Sequence, residues 1–429
     1  MKHISIALFS LIILVATTAC NKKVHLKGKR EIFCTLSEDL KPDPVASAEG
    51  VSVAIPEANS CWTHARKDAT HNVGNLECSF PIKLKWSYKL SGSVSQNRKL
   101  NAEPIVVGQD VFILDNSAKV HCVRNGRIKW SVSLLPARTT PDDVLGSIAF
   151  DGQVIYAATS LAEAFAIEAE TGKIIWRKQL NSPARGALLV YGGFVYVLSM
   201  DSKVEALSAA SGDYVWSHSG ISESIALMGG GGCAAARDMV IVPYASGEVF
   251  ALYCGNGGQV WSQIVSHFSP DKMITSLAHI KALPVIDGNQ VYIASNSGKV
   301  VSLNLANGRQ LWEQSISGAT QTPVLSLNSL FIITNENDLV CLSKTTGAPR
   351  WIASLPKAVK KTPVFWYGPL LAGGKLILAG SHGVILFISP IDGQVMSSMF
   401  CGAGISVPPV VANGKLYILT NEVSLRVFE

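Results

Sequence analysis

The chain has 429 residues, of which 48% are hydrophobic and 16% are charged, and its formal net charge is +6. This length could hold several average domains, but closed all-β folds often run longer as a single unit. The basic excess is small and is spread along the chain, so it gives no indication of nucleic-acid binding. The only long apolar run lies at the N-terminus, which argues against a protein with several membrane spans.

The first twenty residues have the layout of a secretory signal. A short basic start is followed by an apolar core over residues 4–15 and by small residues up to Cys20. This ending resembles the lipobox of bacterial lipoproteins, in which the cysteine thiol takes a diacylglycerol, although Thr17 stands where Leu is usual. We predict that residues 1–19 are a lipoprotein signal peptide and that Cys20 is lipidated. The alternative is an ordinary signal peptide followed by a chance cysteine.

Residues 20–80 begin with a basic stretch and are predicted to be a lipidated tether that acts as a solvated linker. A weak contact of the basic stretch with anionic lipid headgroups is a second possibility. The cysteines of this segment leave three alternatives open: a disulfide, free thiols, or a zinc site that uses neighbouring imidazoles. The residues concerned are Cys34, Cys61, His64, His71 and Cys78.

One sequence unit recurs from the middle of the chain onwards: a turn ending in glycine, three residues, and then a tryptophan. A related unit, Gly393 to Ser397, keeps the glycine and has lost the tryptophan, while Trp86 has no such turn before it. Successive positions are about 40 to 50 residues apart, which is the length of a propeller blade. The periodic tryptophans are Trp86, Trp130, Trp176, Trp216, Trp261, Trp312 and Trp351.

Each period also contains alternating apolar strands separated by glycine, asparagine and aspartate turns, as in PVIDGNQVYIAS and KVVSL. Eight such strand pairs open eight periods, and the pattern gives four short antiparallel strands per period. The sequence therefore predicts an all-β fold, an eight-bladed β-propeller over residues 81–429. We expect the strand around Trp86 to complete the blade formed by residues 408–429, which leaves no free sheet edge. The periodic tryptophans are expected to pack between adjacent blades.

The Gly-x-x-x-Trp unit is similar to the propeller repeat of pyrroloquinoline-quinone (PQQ) proteins. Together with the lipobox and eight repeats with few insertions, it resembles the BamB family, lipoproteins of the outer-membrane β-barrel assembly machinery. The resemblance covers about residues 81–429. It implies a non-catalytic scaffold at the periplasmic face of the outer membrane, held there by its lipid anchor. Its implied partners are the BamA-type barrel-inserting protein and unfolded outer-membrane proteins, with no cofactor and no nucleic acid.

Two other functions are weighed against this one. Quinone-dependent dehydrogenases share the eight-bladed ring, but they carry a disulfide between adjacent cysteines and a calcium site, and this sequence has no Cys-Cys pair. It also lacks the Gly-x-Ser-x-Gly, His-Glu-x-x-His and phosphate-loop patterns, so we predict no catalytic residues and no metal site. A cell-envelope propeller with another protein partner is the third interpretation.

The BamB resemblance also implies a partner-binding surface on two neighbouring loops, one with a Leu-x-Leu-Arg stretch and one with an Asp-x-Asp stretch. Placed on this chain without gaps, the apolar pair is retained as Ile225 and Leu227. The charged positions are replaced by Met228, His279 and Lys281. We therefore predict partner contacts at these five residues, with acidic groups on the partner facing the altered positions, or a site that has moved.

Overall fold

Eight four-stranded antiparallel sheets follow one another around the ring in the computed structural model, which confirms the predicted eight-bladed β-propeller. The structure describes residues 40–90, 102–135, 144–221, 230–265 and 279–429. The predicted signal peptide and Cys20 lie outside these residues. Within them there is one short helix, α1 (Pro44–Ala48), and no helix is long and apolar enough to cross a membrane.

The first four blades run in chain order, each from an inner to an outer strand. Blade 1 contains β3 (Ile105–Val107), β4 (Asp110–Leu114), β5 (Lys119–Arg124) and β6 (Arg127–Ser133), with the two-residue strand β1 (Cys61–Trp62) added beside β3. Blade 2 contains β7 (Gly146–Asp151), β8 (Val154–Thr159), β9 (Glu163–Glu168) and β10 (Ile174–Gln179). Blade 3 contains β11 (Leu189–Tyr191), β12 (Phe194–Leu198), β13 (Lys203–Ser208) and β14 (Tyr214–Ser219). Blade 4 contains β15 (Ala234–Ala236), β16 (Met239–Pro243), β17 (Glu248–Tyr253) and β18 (Gln259–Ile264).

The next three blades repeat this order, and the eighth combines both parts of the chain. Blade 5 contains β19 (Val285–Asp287), β20 (Gln290–Ala294), β21 (Lys299–Asn304) and β22 (Gln310–Ser315). Blade 6 contains β23 (Val324–Leu325), β24 (Ser329–Ile333), β25 (Asp338–Ser343) and β26 (Pro349–Ser354), followed by a hairpin of β27 (Ala358–Val359) and β28 (Thr362–Pro363). Blade 7 contains β29 (Trp366–Ala372), β30 (Lys375–Gly380), β31 (Val384–Ile388) and β32 (Val395–Phe400). Blade 8 contains β33 (Val410–Ala412), β34 (Lys415–Thr420), β35 (Ser424–Phe428) and β2 (Leu84–Lys89).

The ring closes as the sequence predicts. Strand β2 pairs antiparallel with β35, so that Trp86 lies opposite Val427 and Lys89 lies opposite Ser424. The N-terminal strand therefore supplies the outer edge of a blade whose other three strands end the chain.

Burial explains why the strands of one blade differ in sequence. The two middle strands are buried on both faces between neighbouring blades, so they read as continuous apolar runs, as in β12 of blade 3. The outer strand β14 of that blade is exposed over most of its length, and Trp216 is its one fully buried residue. In every blade except the seventh, where Ser397 stands at this position, a single tryptophan of the outer strand packs toward the core in this way.

The periodic tryptophans pack between adjacent blades, as predicted. The indole Nε1 of Trp261 in blade 4 donates a hydrogen bond to the carbonyl oxygen of Leu305 in blade 5, at 2.8 Å. Its ring lies against Gly308, where an added Cβ would be 2.7 Å from Cδ2 of the indole. The glycine of each repeat therefore accommodates the tryptophan of the preceding blade. The same pairing joins Trp130 with Gly172, Trp176 with Gly212, Trp216 with Gly257, Trp312 with Gly347 and Trp351 with Gly393.

Two Gly→Ala substitutions distinguish the free-energy cost of losing the tryptophan contact from the cost of placing a side chain in the left-handed backbone conformation. Gly308 and Gly288 both have a positive φ, at 69° and 59°, but a Cβ on Gly288 would meet no atom within 4 Å. Either Gly→Ala change should cost about 1–2 kcal/mol for the left-handed conformation. Gly308→Ala must also displace Trp261, which should add about 1–3 kcal/mol. We expect urea denaturation to show a larger loss for Gly308→Ala, and equal losses would contradict the proposed role of the contact.

Candidate functional site

The segment before the first strand of the ring is packed on the blades, whereas the sequence predicted a solvated linker over residues 20–80. The backbone N–H of Asp43 donates to the carbonyl oxygen of Pro349 in blade 6, at 2.7 Å. The Arg350 guanidinium beneath it binds the Glu49 carboxylate at 2.9 Å. Residues 40–80 are therefore part of the folded unit that the structure describes.

Residues 59–76, which we call the plug, cross the ring at the end where the inner strands finish. Within the plug, β1 pairs with β3 of blade 1, and the imidazole of His64 reaches the backbone of Val190 in blade 3. Backbone hydrogen bonds also join the plug to inner strands of four further blades. These bonds link Thr63 with Phe150, Ala69 with Ala235, Thr70 with Ile286 and Leu76 with Leu371.

Side chains of the plug are buried as deeply as the core of the ring. Trp62 has no exposed surface, and Arg66, His64 and His71 are also buried. The Nδ1–H of His71 donates to the carbonyl oxygen of Pro284 at 2.8 Å. His64 and His71 thus have backbone partners on the blades that an extended, solvated linker could not offer.

Burial controls the protonation of the two plug histidines. Desolvation is the main cause that lowers the pKa of His64, and it lowers the pKa of His71 to about 4. The hydrogen bond to Pro284 and the carboxylate of Asp68 oppose this shift at His71, while the neighbouring His64 and Arg66 add to it. Both imidazoles are therefore neutral at pH 7.

The geometry bears on the three alternatives for the cysteines and histidines of this segment, which are a disulfide, free thiols and a zinc site. Within the described ranges, no group of three or more His, Cys, Asp or Glu lies close enough to hold a metal ion. Cys61 and Cys78 are free thiols, and Cys34 lies outside the described residues. Cys122, Cys254 and Cys341 are buried and pack as small apolar residues.

On the inner side of the plug lies a cavity of about 450 Å³. Its walls are formed by residues at or just before the inner strand of each of the eight blades, and the plug contributes Ala65 and Arg66. Apolar side chains and hydroxyl groups alternate on the walls, and the charged residues that line it are Arg66, Glu103 and Lys281. The cavity is therefore bounded by the regular inner strands of the ring and by side chains of the plug.

Arg66 is the most unusual group in this cavity. Its side chain is 1% exposed, and its Nη2 donates to the carbonyl oxygen of Pro369 at 2.5 Å. Its Nε and Nη1 are buried and have no hydrogen-bond partner in the part of the chain that the structure describes. Burial lowers the pKa of Arg66, and the nearby charge of Glu103 opposes this effect.

Glu103 is held by the plug rather than by the guanidinium. Its Oε2 accepts hydrogen bonds from the indole Nε1 of Trp62 at 3.1 Å and from the backbone N–H of Arg66 at 2.9 Å. Burial is the main cause that raises the pKa of Glu103, and the charge of Arg66 partly offsets it. This carboxylate fixes the position of the Arg66 backbone in the cavity.

The structure brings Gly230 and Gly231, which follow the first predicted partner stretch in sequence, next to Lys281 of the second. The backbone N–H of Gly231 donates to the carbonyl oxygen of Lys281 at 2.7 Å. A Cβ on Gly230 would lie 2.1 Å from Cγ of Lys281, so the glycine run allows the two stretches to meet. Ile225, Leu227 and Met228 lie outside the described residues.

The two charged positions of the predicted surface differ in exposure. Lys281 is half-buried and lines the cavity. His279 is 3% exposed, and its carbonyl oxygen accepts the N–H of Asn296 at 3.0 Å. Its imidazole therefore presents almost no surface to a partner, whereas contact through Lys281 stays a prediction.

Arg66 and Glu103 were not predicted from the sequence as site residues. The available signal was the density of tryptophan, histidine and arginine in CWTHARKDATH, which a solvated linker does not require. Interpreted only as possible zinc ligands, these residues did not indicate a buried segment.

The ring, its closure and its tryptophan–glycine contacts define the class of protein: an eight-bladed β-propeller built from PQQ-type repeats. The family model described as outer membrane protein assembly factor BamB matches residues 117–353 and 320–400, which together span more than half of the chain. The chain belongs to this family.

Relatives with the same description are identical to this chain at a little under a quarter of the aligned residues. The outer membrane protein assembly factor BamB of Yersinia pestis is 22% identical over 377 residues, which cover 86% of this chain and 94% of the relative. That of Moranella endobia is 24% identical over 253 residues, which cover 57% of this chain and 65% of the relative. The aligned part thus spans less than two thirds of the length of the second relative.

Solved structures support the fold. The crystal structure of BamB from Moraxella catarrhalis matches with a TM-score of 0.71 at 19% identity, covering 81% of this chain and 99% of that one. The quinohemoprotein alcohol dehydrogenase of Comamonas testosteroni matches with a TM-score of 0.67 at 12% identity, covering 89% and 83%. At these identities the likeness shows the shared propeller alone.

The lowered pKa of His71 predicts a loss of stability in mild acid. Unfolded His71 titrates near pH 6.5 and folded His71 near pH 4. The advantage of the neutral native form is therefore complete above pH 6.5 and falls by up to about 3 kcal/mol as the pH approaches 4. His71→Gln should flatten the dependence of the unfolding free energy on pH in this window, measured by urea denaturation. His382→Gln, at a more exposed imidazole, serves as the control, and identical slopes in wild type and His71→Gln would contradict the assignment.

Proposed function

We propose that this protein is a non-catalytic scaffold lipoprotein that assists the folding and insertion of outer-membrane β-barrel proteins. In this role it binds the periplasmic domains of a BamA-type barrel-inserting protein and contacts unfolded outer-membrane proteins. The observation that carries the proposal is the BamB family match across residues 117–353 and 320–400. A rigid closed ring suits this role, because it presents many loops at fixed positions.

The geometry favours one end of the ring for the partner. The plug covers the end where the inner strands finish, so the opposite end is left for docking. Lys281, in the connection between β18 and β19, is on that opposite side, and Leu227 belongs by sequence to the connection between β14 and β15, outside the described residues. Ile221, which follows β14 on the chain, is 59% exposed.

The proposal includes no catalytic step and no cofactor. Adjacent cysteines are missing from the sequence, and the described residues bring together no set of carboxylates that could hold calcium. The likeness to a quinohemoprotein alcohol dehydrogenase therefore concerns the ring fold alone.

The proposed docking site predicts two different responses to substitution. Leu227→Glu places a charge on an apolar contact and should abolish co-purification with the barrel-inserting protein. Lys281→Glu should weaken it, more so at low salt, because the lysine is proposed to face acidic groups whose attraction is screened by ions. Both are measured by pull-down from envelope extracts at two salt concentrations.

Matched controls lie away from the predicted site. Leu327 is 61% exposed in the turn between β23 and β24, at the plugged end, so Leu327→Glu should leave co-purification intact. Lys173 is exposed in the turn between β9 and β10, at the plugged end, so Lys173→Glu should also bind normally. If Leu227→Glu and Lys281→Glu both retain full binding with unchanged melting temperatures, the loops do not form the docking site.

Membrane attachment is proposed to depend on Cys20 alone. An acylated cysteine anchors through its buried methylene groups, each of which contributes about 0.8 kcal/mol. Cys20→Ala should therefore move the protein from the outer-membrane fraction to the soluble periplasmic fraction on cell fractionation. Cys61→Ala, which removes a free thiol within the plug, should remain with the membrane. Wild-type membrane levels of Cys20→Ala would rule out the lipoprotein assignment.

A further inference from the structure

We propose that the hairpin between blades 6 and 7, together with two phenylalanines beside it, forms a contact site for a lipid surface that carries anionic headgroups. The hairpin comprises residues 356–363 and includes β27 and β28. This inference goes beyond the scaffold role, because it concerns how the ring meets a membrane and not which protein docks on it.

The first argument is the exposure and charge of the hairpin. Every residue from 356 to 363 is exposed, and three of them are lysines: Lys357, Lys360 and Lys361. None of these lysines has an ion pair or a side-chain hydrogen bond among the residues that the structure describes. Their ammonium groups are therefore available to an anionic surface.

One acidic residue nearby reduces this charge without cancelling it. Glu336 is exposed in the turn between β24 and β25. The side-chain amide of its neighbour Asn337 donates to the carbonyl oxygen of Val364 at 2.8 Å, so this turn lies beside the base of the hairpin. The hairpin and the turn together keep an excess of two positive charges. Near an anionic lipid surface each lysine contributes about a fivefold gain in binding.

The second argument is the type of residue at the tip of the hairpin. Lys360 and Lys361 are the two central residues of its turn, and both have a positive φ, at 49° and 69°. Glycine and asparagine adopt this conformation readily, whereas other residues adopt it at a cost. In the described parts of the blades, the other turns with two successive positive φ values use Asn-Gly or Gly-Gly. They are Asn125–Gly126, Gly192–Gly193, Gly373–Gly374 and Asn413–Gly414.

The cost of lysine at these two positions indicates a function for the tip. Lysines that protect a sheet from edge-to-edge pairing lie on the edge strand itself and not in the turn beyond it. A polar turn of the Asn-Gly kind would keep the hairpin soluble without the strain. We therefore infer that the positive charge is needed at the end of the hairpin.

The third argument is the apolar surface beside the hairpin. Phe365, two residues beyond it, is 55% exposed, and Phe400 at the end of β32 is 67% exposed. Both lie against the turn between β30 and β31. The carbonyl oxygen of Phe365 accepts the backbone N–H of Ser381 at 2.8 Å, and a Cβ on Gly383 would lie 2.9 Å from the ring of Phe400. Exposed aromatic rings beside exposed lysines suit the interface of a lipid bilayer, where apolar and anionic groups are close together.

The type of cation favours a lipid surface over an acidic protein. A carboxylate in a fixed position is matched best by the planar guanidinium of arginine, whereas the compact ammonium of lysine needs no such geometry. The hairpin has three lysines and no arginine. The contact does not use the predicted docking residues, because the hairpin joins blades 6 and 7, whereas Lys281 lies between blades 4 and 5.

Vesicle co-sedimentation tests the site on the whole protein with the substitution Cys20→Ala. This substitution removes the proposed acylation site, so that acyl chains do not dominate the binding. Vesicles of equal parts phosphatidylglycerol and phosphatidylcholine are compared with vesicles of phosphatidylcholine alone. We expect at least tenfold tighter binding to the anionic vesicles at low salt and a smaller ratio at high salt, because ions screen the attraction.

A charge-matched pair of variants assigns the binding to the hairpin. Lys357→Gln, Lys360→Gln and Lys361→Gln together should lower binding to the anionic vesicles at least tenfold at low salt. The control makes the same change at three exposed cations of the plugged end, and it should bind as the parent protein does. The control substitutions are Arg127→Gln, Lys173→Gln and Arg309→Gln.

A second pair tests the apolar part of the site. Phe400→Ser removes an exposed ring and should lower binding about three- to tenfold at low and high salt alike, because burial of apolar surface is not screened by ions. Leu327→Ser, at a leucine that is 61% exposed at the plugged end, should bind as the parent protein does.

Three outcomes would overturn the inference. The first is equal binding of the Cys20→Ala protein to the two kinds of vesicle, and the second is an equal loss in the triple lysine variant and its charge-matched control. The third is absent vesicle binding together with a hairpin-dependent pull-down of the barrel-inserting protein, which would assign the lysines to an acidic protein surface. The substituted side chains are exposed, so melting temperatures should not change, and the comparison of vesicle compositions needs no hairpin variant. The scaffold role is tested by co-purification, so either proposal can fail without the other.

Discussion

Packing of an indole from one blade against a glycine of the next is the contact on which the rest of this ring depends. A blade has four short strands and buries little surface of its own, so its stability comes from its neighbours. Burying one large aromatic side chain contributes about 2–3 kcal/mol, and the hydrogen bond of its Nε1 adds about 1 kcal/mol. The contact exists only when two blades are adjacent, which couples the folding of each blade to that of the next.

The same contact explains the two irregular repeats. Blade 8 joins β35 to β2, and these strands come from opposite ends of the chain, so this blade has no turn between its third and fourth strands. Without that turn it has no glycine on which a tryptophan of blade 7 could pack. Ser397 stands at the tryptophan position of blade 7, and Trp86 of blade 8 lacks a preceding glycine turn for the same reason. The exceptions in the sequence thus mark the place where the ring closes.

This dependence also decides what could be predicted from the sequence. The ring was predictable, because one contact recurs and leaves the same glycine and tryptophan in period after period. The plug was not, because Thr63, His71 and Leu76 each meet a different blade through a backbone contact that occurs once. Backbone contacts of this kind leave no periodic residue type, so a segment bound to many blades has the appearance of a linker. Similarly, the burial of His279 depends on a local backbone path that its residue type does not encode.

The family match and the plug therefore account for different parts of the molecule. The matched residues begin at position 117 and include Lys281 and six blades with their tryptophan–glycine contacts, but they exclude the plug and Arg66. The cavity is lined by Lys281 from the matched region and by Arg66 from the plug. Because hydrogen bonds join the plug to the inner strands of several blades, residues outside the matched region contribute to the stability of the ring centre.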